Sequence, residues 1–266
     1  MNFKIGETMK SVIFTLLLLL SFFSMAKAQE PLVFVTSDYP PYVIDNNGVA
    51  TGMVPDIIRA IFKDSDIEVD IVFQPWNRGQ ASVISGAAFA TFPYVMTRER
   101  AKVFDFSDPF LAFFPKFFYN KMRFPNGFSW KKLKDFQGYK MGGVRGFWYE
   151  ADFQALRLNV NYVSTDLQNM NMLLKERVDF TLIDEMVGWH LIKTNFPHKK
   201  DHFAVAKKPE SQSGLHLMIS RKYPNAKVLT QVFNKGLKTI KTNGTYQKIL
   251  NDYQVSEEYA QIPQDE

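Results

Sequence analysis

The chain of 266 residues contains no cysteine. That absence excludes a disulfide, a thiolate site and a lipid-modified cysteine anchor, so the hydrophobic core alone must hold the fold. Long apolar runs are scarce too. One run, "SVIFTLLLLLSFF" at 11–23, is shorter than the ~20 residues of a permanent membrane helix, and no run of ~18 residues comes after it. Nor is there a strong charge of one sign. With 32 Lys and Arg against 27 Asp and Glu and no clustered basic tail, the sequence carries no nucleic-acid footprint. The four histidines, His190, His198, His202 and His216, lack metal-ligand spacing. "SWKK" at 129–132 matches a serine-x-x-lysine pattern without its two companion boxes. "GGVRG" at 142–146 lacks the third glycine and the ribose-binding acid of a dinucleotide fingerprint. The expectation is therefore no metal, no cofactor and no covalent or acid–base catalysis.

What is present begins with an export signal. Lys4 and Lys10 precede the apolar run, and "AKA" then puts small Ala26 and Ala28 where signal peptidase needs them. Residues 1–28 read as a signal peptide cleaved after Ala28; Met9-Lys10 would open a more compact one, which makes Met9 an alternative start. Removing 28 of the 266 residues leaves 238, enough for one large or two small domains. The removed segment carries Lys4, Lys10, Lys27 and Glu7, so the formal net charge falls from +5 to +3.

The remainder alternates strand and helix patterns. "PLVFVTS" (31–37) is a buried strand, "DNNG" (45–48) a tight turn, "VPDIIRAIF" (54–62) an amphipathic helix and "IEVDIVF" (67–73) the next strand. That order predicts a parallel α/β sheet. Next come a short helix after Trp76, a strand at 88–94 and a long apolar strand "FLAFFPKFFYN" (110–120). The texture then turns basic and turn-rich at 121–138, and the alternation restarts with strands at 139–144, 160–164 and 179–184. Helices are expected from about Trp148, over 167–175 and from Glu185. After "HFAVAKK" (202–208) and "GLHLMIS" (214–220), helices at 226–241 and 245–253 leave too little chain for a third lobe. The economical solution returns the chain to the first lobe. That gives two lobes, 29–117 with 212–266 and 118–211, joined by two crossings, with a ligand cleft between them.

"DYPPYVIDNNGVATGMVPDIIRAI", "PWNRGQASVISG", "TRERAKVFDFSDPF", "GGVRGFWYE", "DFTLIDE" and "NGTYQKILNDY" occur in this order over nearly all of 31–254. In content and spacing they resemble the family 3 extracellular solute-binding proteins, the periplasmic receptors of polar amino-acid ABC importers. The resemblance implies a two-lobed α/β fold of the periplasmic-binding-protein type II kind and a monomer without enzymatic activity. It implies as partners a small zwitterionic or anionic ligand, such as an amino acid or derivative, and an inner-membrane permease. Alternatives are a periplasmic sensing module for a signalling receptor and a cyclohexadienyl-dehydratase-like enzyme.

The resemblance also implies roles. Arg100, closing the "T-x-x-R" turn that starts at Thr97, would hold a ligand carboxylate through paired guanidinium donors. The competing reading is a surface salt bridge to Asp105 or Asp108. Arg98 reads as solvated. Asp184 would take an amino group, or else simply cap the helix from Glu185. Tyr39 would cover the ligand, with Trp76, Phe92 and Tyr94 as walls. The chain departs from the family in "TFPYVM" and "RGFWY", where apolar bulk, including Phe147 and Trp148, stands where relatives place hydroxyls. Backbone N–H groups near Trp148 could still receive an anion, and Arg78 and Arg145 are further cationic candidates.

Overall fold

The computed structural model describes residues 30–262; the signal-peptide expectation lies outside them. Residues 31–262 form one compact unit. It opens with β1 (Leu32–Thr36), buried along nearly its whole length. A hairpin comes next, β2 (Ile44–Asn46) with β3 (Val49–Thr51). Its turn needs positive φ at Asn47 (54°) and Gly48 (87°), and the Gly48 N–H donates to Asp45 Oδ1 at 2.7 Å. Helix α1 (Met53–Phe62) buries seven of its ten residues. After it come β4 (Val69–Phe73), α2 (Trp76–Ser85), β5 (Ala90–Val95), the single turn α3 (Arg98–Ala101) and β6 (Asp105–Phe106).

The apolar run at 110–120 is two strands, not one. β7 (Leu111–Phe113) pairs with the first sheet, and β8 (Pro115–Asn120) with the second, so the chain changes sheet at Phe114. Hydrophobicity continues across that point because both strands are buried, so the pattern carries no mark of the change. The second sheet then gathers β9 (Lys140–Val144), β10 (Asn159–Val163), β11 (Phe180–Asp184) and β12 (Phe203–Val205). Between them lie α4 (Glu150–Ala155), α5 (Asp166–Leu174) and α6 (Glu185–Asn195). The chain returns through β13 (Ser213–Ile219) and ends in α7 (Ala226–Thr242) and α8 (Thr245–Asp252), which pack with α1.

The first sheet runs β4-β1-β5-β13-β6, with β7 also on β13; the second runs β10-β9-β11-β8-β12. The sequence order predicts parallel sheets, and the structure corrects this. β1, β4 and β5 are parallel, as are β9, β10 and β11, but the strands that carry the chain between the lobes, β8 and β13, run antiparallel to their neighbours. A chain that leaves one sheet and comes back must reverse direction in each. In both lobes the carboxyl ends of the parallel strands face the same cleft, where ligands of open α/β sheets sit.

Candidate functional site

Each side of the cleft is built from residues at or just beyond the carboxyl end of a parallel strand. Tyr39 comes after β1, Trp76 opens α2 after β4, and Arg100 comes after β5; from the second lobe, Gly146 to Trp148 lie beyond β9, Asp166 lies beyond β10 and Asp184 ends β11. Thr97 sets Arg100 locally: its Oγ1 accepts the Arg100 N–H at 3.2 Å as the cap of α3. The guanidinium then points inward. Nη1 donates to Val95 O at 2.8 Å, Nη2 donates across the cleft to Gly146 O at 3.1 Å, and Cζ lies 4.8 Å from the centroid of the Tyr94 ring. Burial lowers its pKa from the ordinary value, yet a guanidinium stays charged. No carboxylate pairs with it among the described residues: Asp105 pairs instead with Arg221 at 2.8 Å. Arg98 is exposed.

Around Arg100 lies a pocket of about 40 Å³, lined also by Tyr39, Trp76, Tyr94, Phe147 and Trp148. At ~10–15 Å³ per water this is room for about three waters. A carboxylate fits; a whole amino acid does not. Aromatic bulk makes it small. Phe147 meets Tyr39 and Trp76 at centroid distances of 6.4 and 6.5 Å, and Trp148 packs edge-on to Phe113 at 4.9 Å. The backbone of this turn offers less than the sequence suggests. The Gly146 N–H donates to Glu150 Oε2 at 2.6 Å and the Phe147 N–H to Val144 O at 3.4 Å, while α4 begins only at Glu150.

The other expected site residues lie outside this pocket. Phe92 is fully buried against Phe34, with ring centroids 6.1 Å apart. Arg78 and Arg145 are exposed. Asp184 has no exposed surface and is held by four protein donors: Tyr42 Oη at 3.0 Å and the N–H groups of Met186 at 3.1 Å, Val187 at 3.3 Å and Phe114 at 3.2 Å. It is the N-cap of α6 and a tie between the lobes, since Tyr42 belongs to the first. Its acid neighbour is differently placed: Glu185 pairs with Lys116.

A second cavity, of about 330 Å³, shares Tyr39, Trp76 and Phe147 with the first as a common wall. It is also lined by Asp38, Asp166 and His190. Asp166 is only 7% exposed and its Oδ1 has no hydrogen-bond partner. Burial, then the nearby Asp184 charge, pushes its carboxyl up to about 8; burial pushes Asp184 up to about 7 against its four donors. Sequence reasoning missed Asp166 and Tyr42. A signal for Asp166 existed: it opens the helix after β10, at a strand's carboxyl end, where cleft residues collect.

The model of the bacterial extracellular solute-binding proteins, family 3, matches residues 32–256. The chain belongs to this family. It is 28% identical over 248 residues, 89% of this chain and 96% of the relative, to the ABC transporter arginine-binding protein 1 of Escherichia coli strain K12. An ancestral arginine-binding protein bound to arginine superposes with a TM-score of 0.72 at 23% identity, covering 85% of this chain and 99% of that one. A histidine kinase sensor domain similar to periplasmic binding proteins also reaches 0.72, at 18% identity over 85% and 96% of the two chains. These two structural likenesses establish the two-lobed fold. Among the described residues of this family 3 chain, no helix is long and apolar enough to cross a membrane.

Proposed function

We propose that this family 3 protein is a periplasmic receptor that captures a small carboxylate-bearing ligand, an amino acid or a derivative, and presents it to the permease of an ABC importer. The observation that carries the reading is Arg100. Its guanidinium reaches into a cleft between the lobes, is held by two carbonyl oxygens, and has no anion to neutralise it among the described residues. A planar guanidinium is suited to bidentate capture of a carboxylate, and partial desolvation strengthens that pairing. Bonds across the cleft, Arg100 to Gly146 O and Tyr42 to Asp184, support a receptor that closes on its ligand and so marks the loaded state. The arginine-binding relative supports the amino-acid class.

A dehydratase-like enzyme would need an acid–base pair facing the cleft. Asp184 and Glu185 are adjacent in sequence, but one is a saturated cap and the other an ion-pair partner of Lys116. This division removes the adjacent pair from that role.

The test is calorimetry on the wild type and Arg100→Ala with a panel of amino acids first screened by thermal shift. Arg100→Ala is expected to keep its melting temperature to within a few degrees and to lose about a hundredfold in affinity, the worth of a bidentate charge-assisted pair. Unchanged affinity for the ligand that the wild type binds would sink the assignment.

A further inference from the structure

We infer that Asp166 receives the cationic group of the ligand, an ammonium or guanidinium, in the cavity that lies across the Tyr39, Trp76 and Phe147 wall from Arg100. The inference deepens the carboxylate reading above and rests on it for the other end of the ligand.

Asp166 is a buried carboxyl with an open oxygen. Among polar groups this is the costly case, because a buried carboxylate without a partner has lost water and gained nothing in return. No cation in the cavity wall pairs with it. The lining includes two carboxyls, Asp38 and Asp166, and neither lysine nor arginine. His190 is no substitute: burial first, and then Lys193, hold its pKa below the ordinary value, so it is neutral near pH 7. As a neutral ring it adds an acceptor, as do the side-chain oxygens of Thr194 and Asn195. The rest of the lining mixes aliphatic side chains and the hydroxyls of Ser164 and Thr165 with three rings, Tyr39, Trp76 and Phe147. Tyr39 and Trp76 meet edge to face at 6.0 Å, and such ring faces attract a desolvated cation.

The resemblance would have assigned the ligand's cation to Asp184. The structure points elsewhere, because every donor around Asp184 is already protein and no surface of it is exposed. The two acids lie close enough for the charge of one to raise the other. A cation beside Asp166 would favour its ionised form and draw its pKa back down. Volume agrees: the Arg100 pocket of about 40 Å³ accepts little beyond a carboxylate, whereas about 330 Å³ on the far side of the shared wall holds an alkyl ammonium or guanidinium. A ligand that reaches both cavities requires Phe147, packed edge to face against Tyr39 and Trp76, to give way around its stem.

The experiment titrates L-arginine and L-lysine, and their decarboxylated counterparts agmatine and cadaverine, into the wild type, Asp166→Asn and Arg100→Ala. The wild type is expected to bind at least one amino acid and its counterpart. Asp166→Asn, isosteric but uncharged, should weaken both members of that pair at least about tenfold. Arg100→Ala should weaken the amino acid and spare the counterpart. Should Asp166→Asn not fold, as judged by its melting temperature, Asp166→Ala takes its place. Wild-type affinity in the Asp166 variant, or no binding of any of the four by the wild type, overturns the inference. The two readings fail separately. An Arg100→Ala protein that binds the amino acid normally removes the carboxylate reading, whereas a normal Asp166→Asn beside a deficient Arg100→Ala removes only this one.

Discussion

Three charged residues of this protein are separated by their partners rather than by their type. Arg98 and Arg100 lie two positions apart, yet one is solvated and the other is drawn inward by Val95 O and Gly146 O. The sequence separates the two through the family resemblance of the T-x-x-R turn, which singles out Arg100, and the Thr97 cap seen in the structure fits that turn. Asp184 is the opposite case. Tyr42 lies 142 positions away and Phe114 lies 70 away, and no local pattern announces that both will spend their donors on one carboxylate. Asp184→Ala removes a helix cap and strands a buried hydroxyl and three backbone N–H groups. It should cost about 2–4 kcal/mol in urea unfolding, with Asp184→Asn costing less because one acceptor oxygen remains. A loss under about 1 kcal/mol for the alanine variant would show that Asp184 does not hold the lobes together.

At the level of elements, strand ends and turns were readable because turn chemistry and burial period are short-range. The Asp45 to Gly48 turn and the helix at Met53–Phe62 are examples. Sheet membership was not. The run 110–120 reads as one strand and is two, because both of its halves are buried and only long-range pairing assigns them to different sheets. The β9 to α4 turn shows how an element governs closure. Gly146 has φ of +80°, and a Cβ there would stand 2.7 Å from Asn77 Oδ1 on the opposing lobe. Gly146→Ala is therefore strained twice, in its backbone and against α2. It should leave the fold intact, weaken ligand binding at least about tenfold, and enlarge the radius of gyration of the ligand-saturated protein in small-angle scattering. Wild-type affinity in this variant would mean that the turn and α2 need not meet for binding.

For the whole molecule, the two buried carboxyls couple stability to pH. Asp166 is pushed up to about 8 and Asp184 to about 7, both chiefly by burial, while in the unfolded chain each titrates near ~3.9. Between about pH 4 and pH 8 the folded state therefore holds protons that the unfolded chain has released. Their contribution to stability is full below the unfolded value and is lost as pH rises through the folded ones, at up to about 1.4 kcal/mol per pH unit per group. The melting temperature of the unliganded protein should fall from about pH 5.5 to about pH 8.5, and Asp166→Asn should flatten that slope. Equal slopes in the two proteins would show that Asp166 does not titrate in this range.

The alternation of strand and helix, the family, and through its T-x-x-R turn the inward arginine with aromatic bulk beside it were legible in the amino-acid sequence, since each rests on short-range pattern or on motifs a few residues long. Which acid is spent and which is open was settled only by folding. Asp184 ends a strand and caps the next helix, Asp166 opens a helix just beyond a strand, and the two junctions look alike in the sequence. What distinguishes them is the arrival of Tyr42 and Phe114 at one and of an aromatic-walled cavity at the other, and such meetings exist only once the chain has crossed between the lobes and returned.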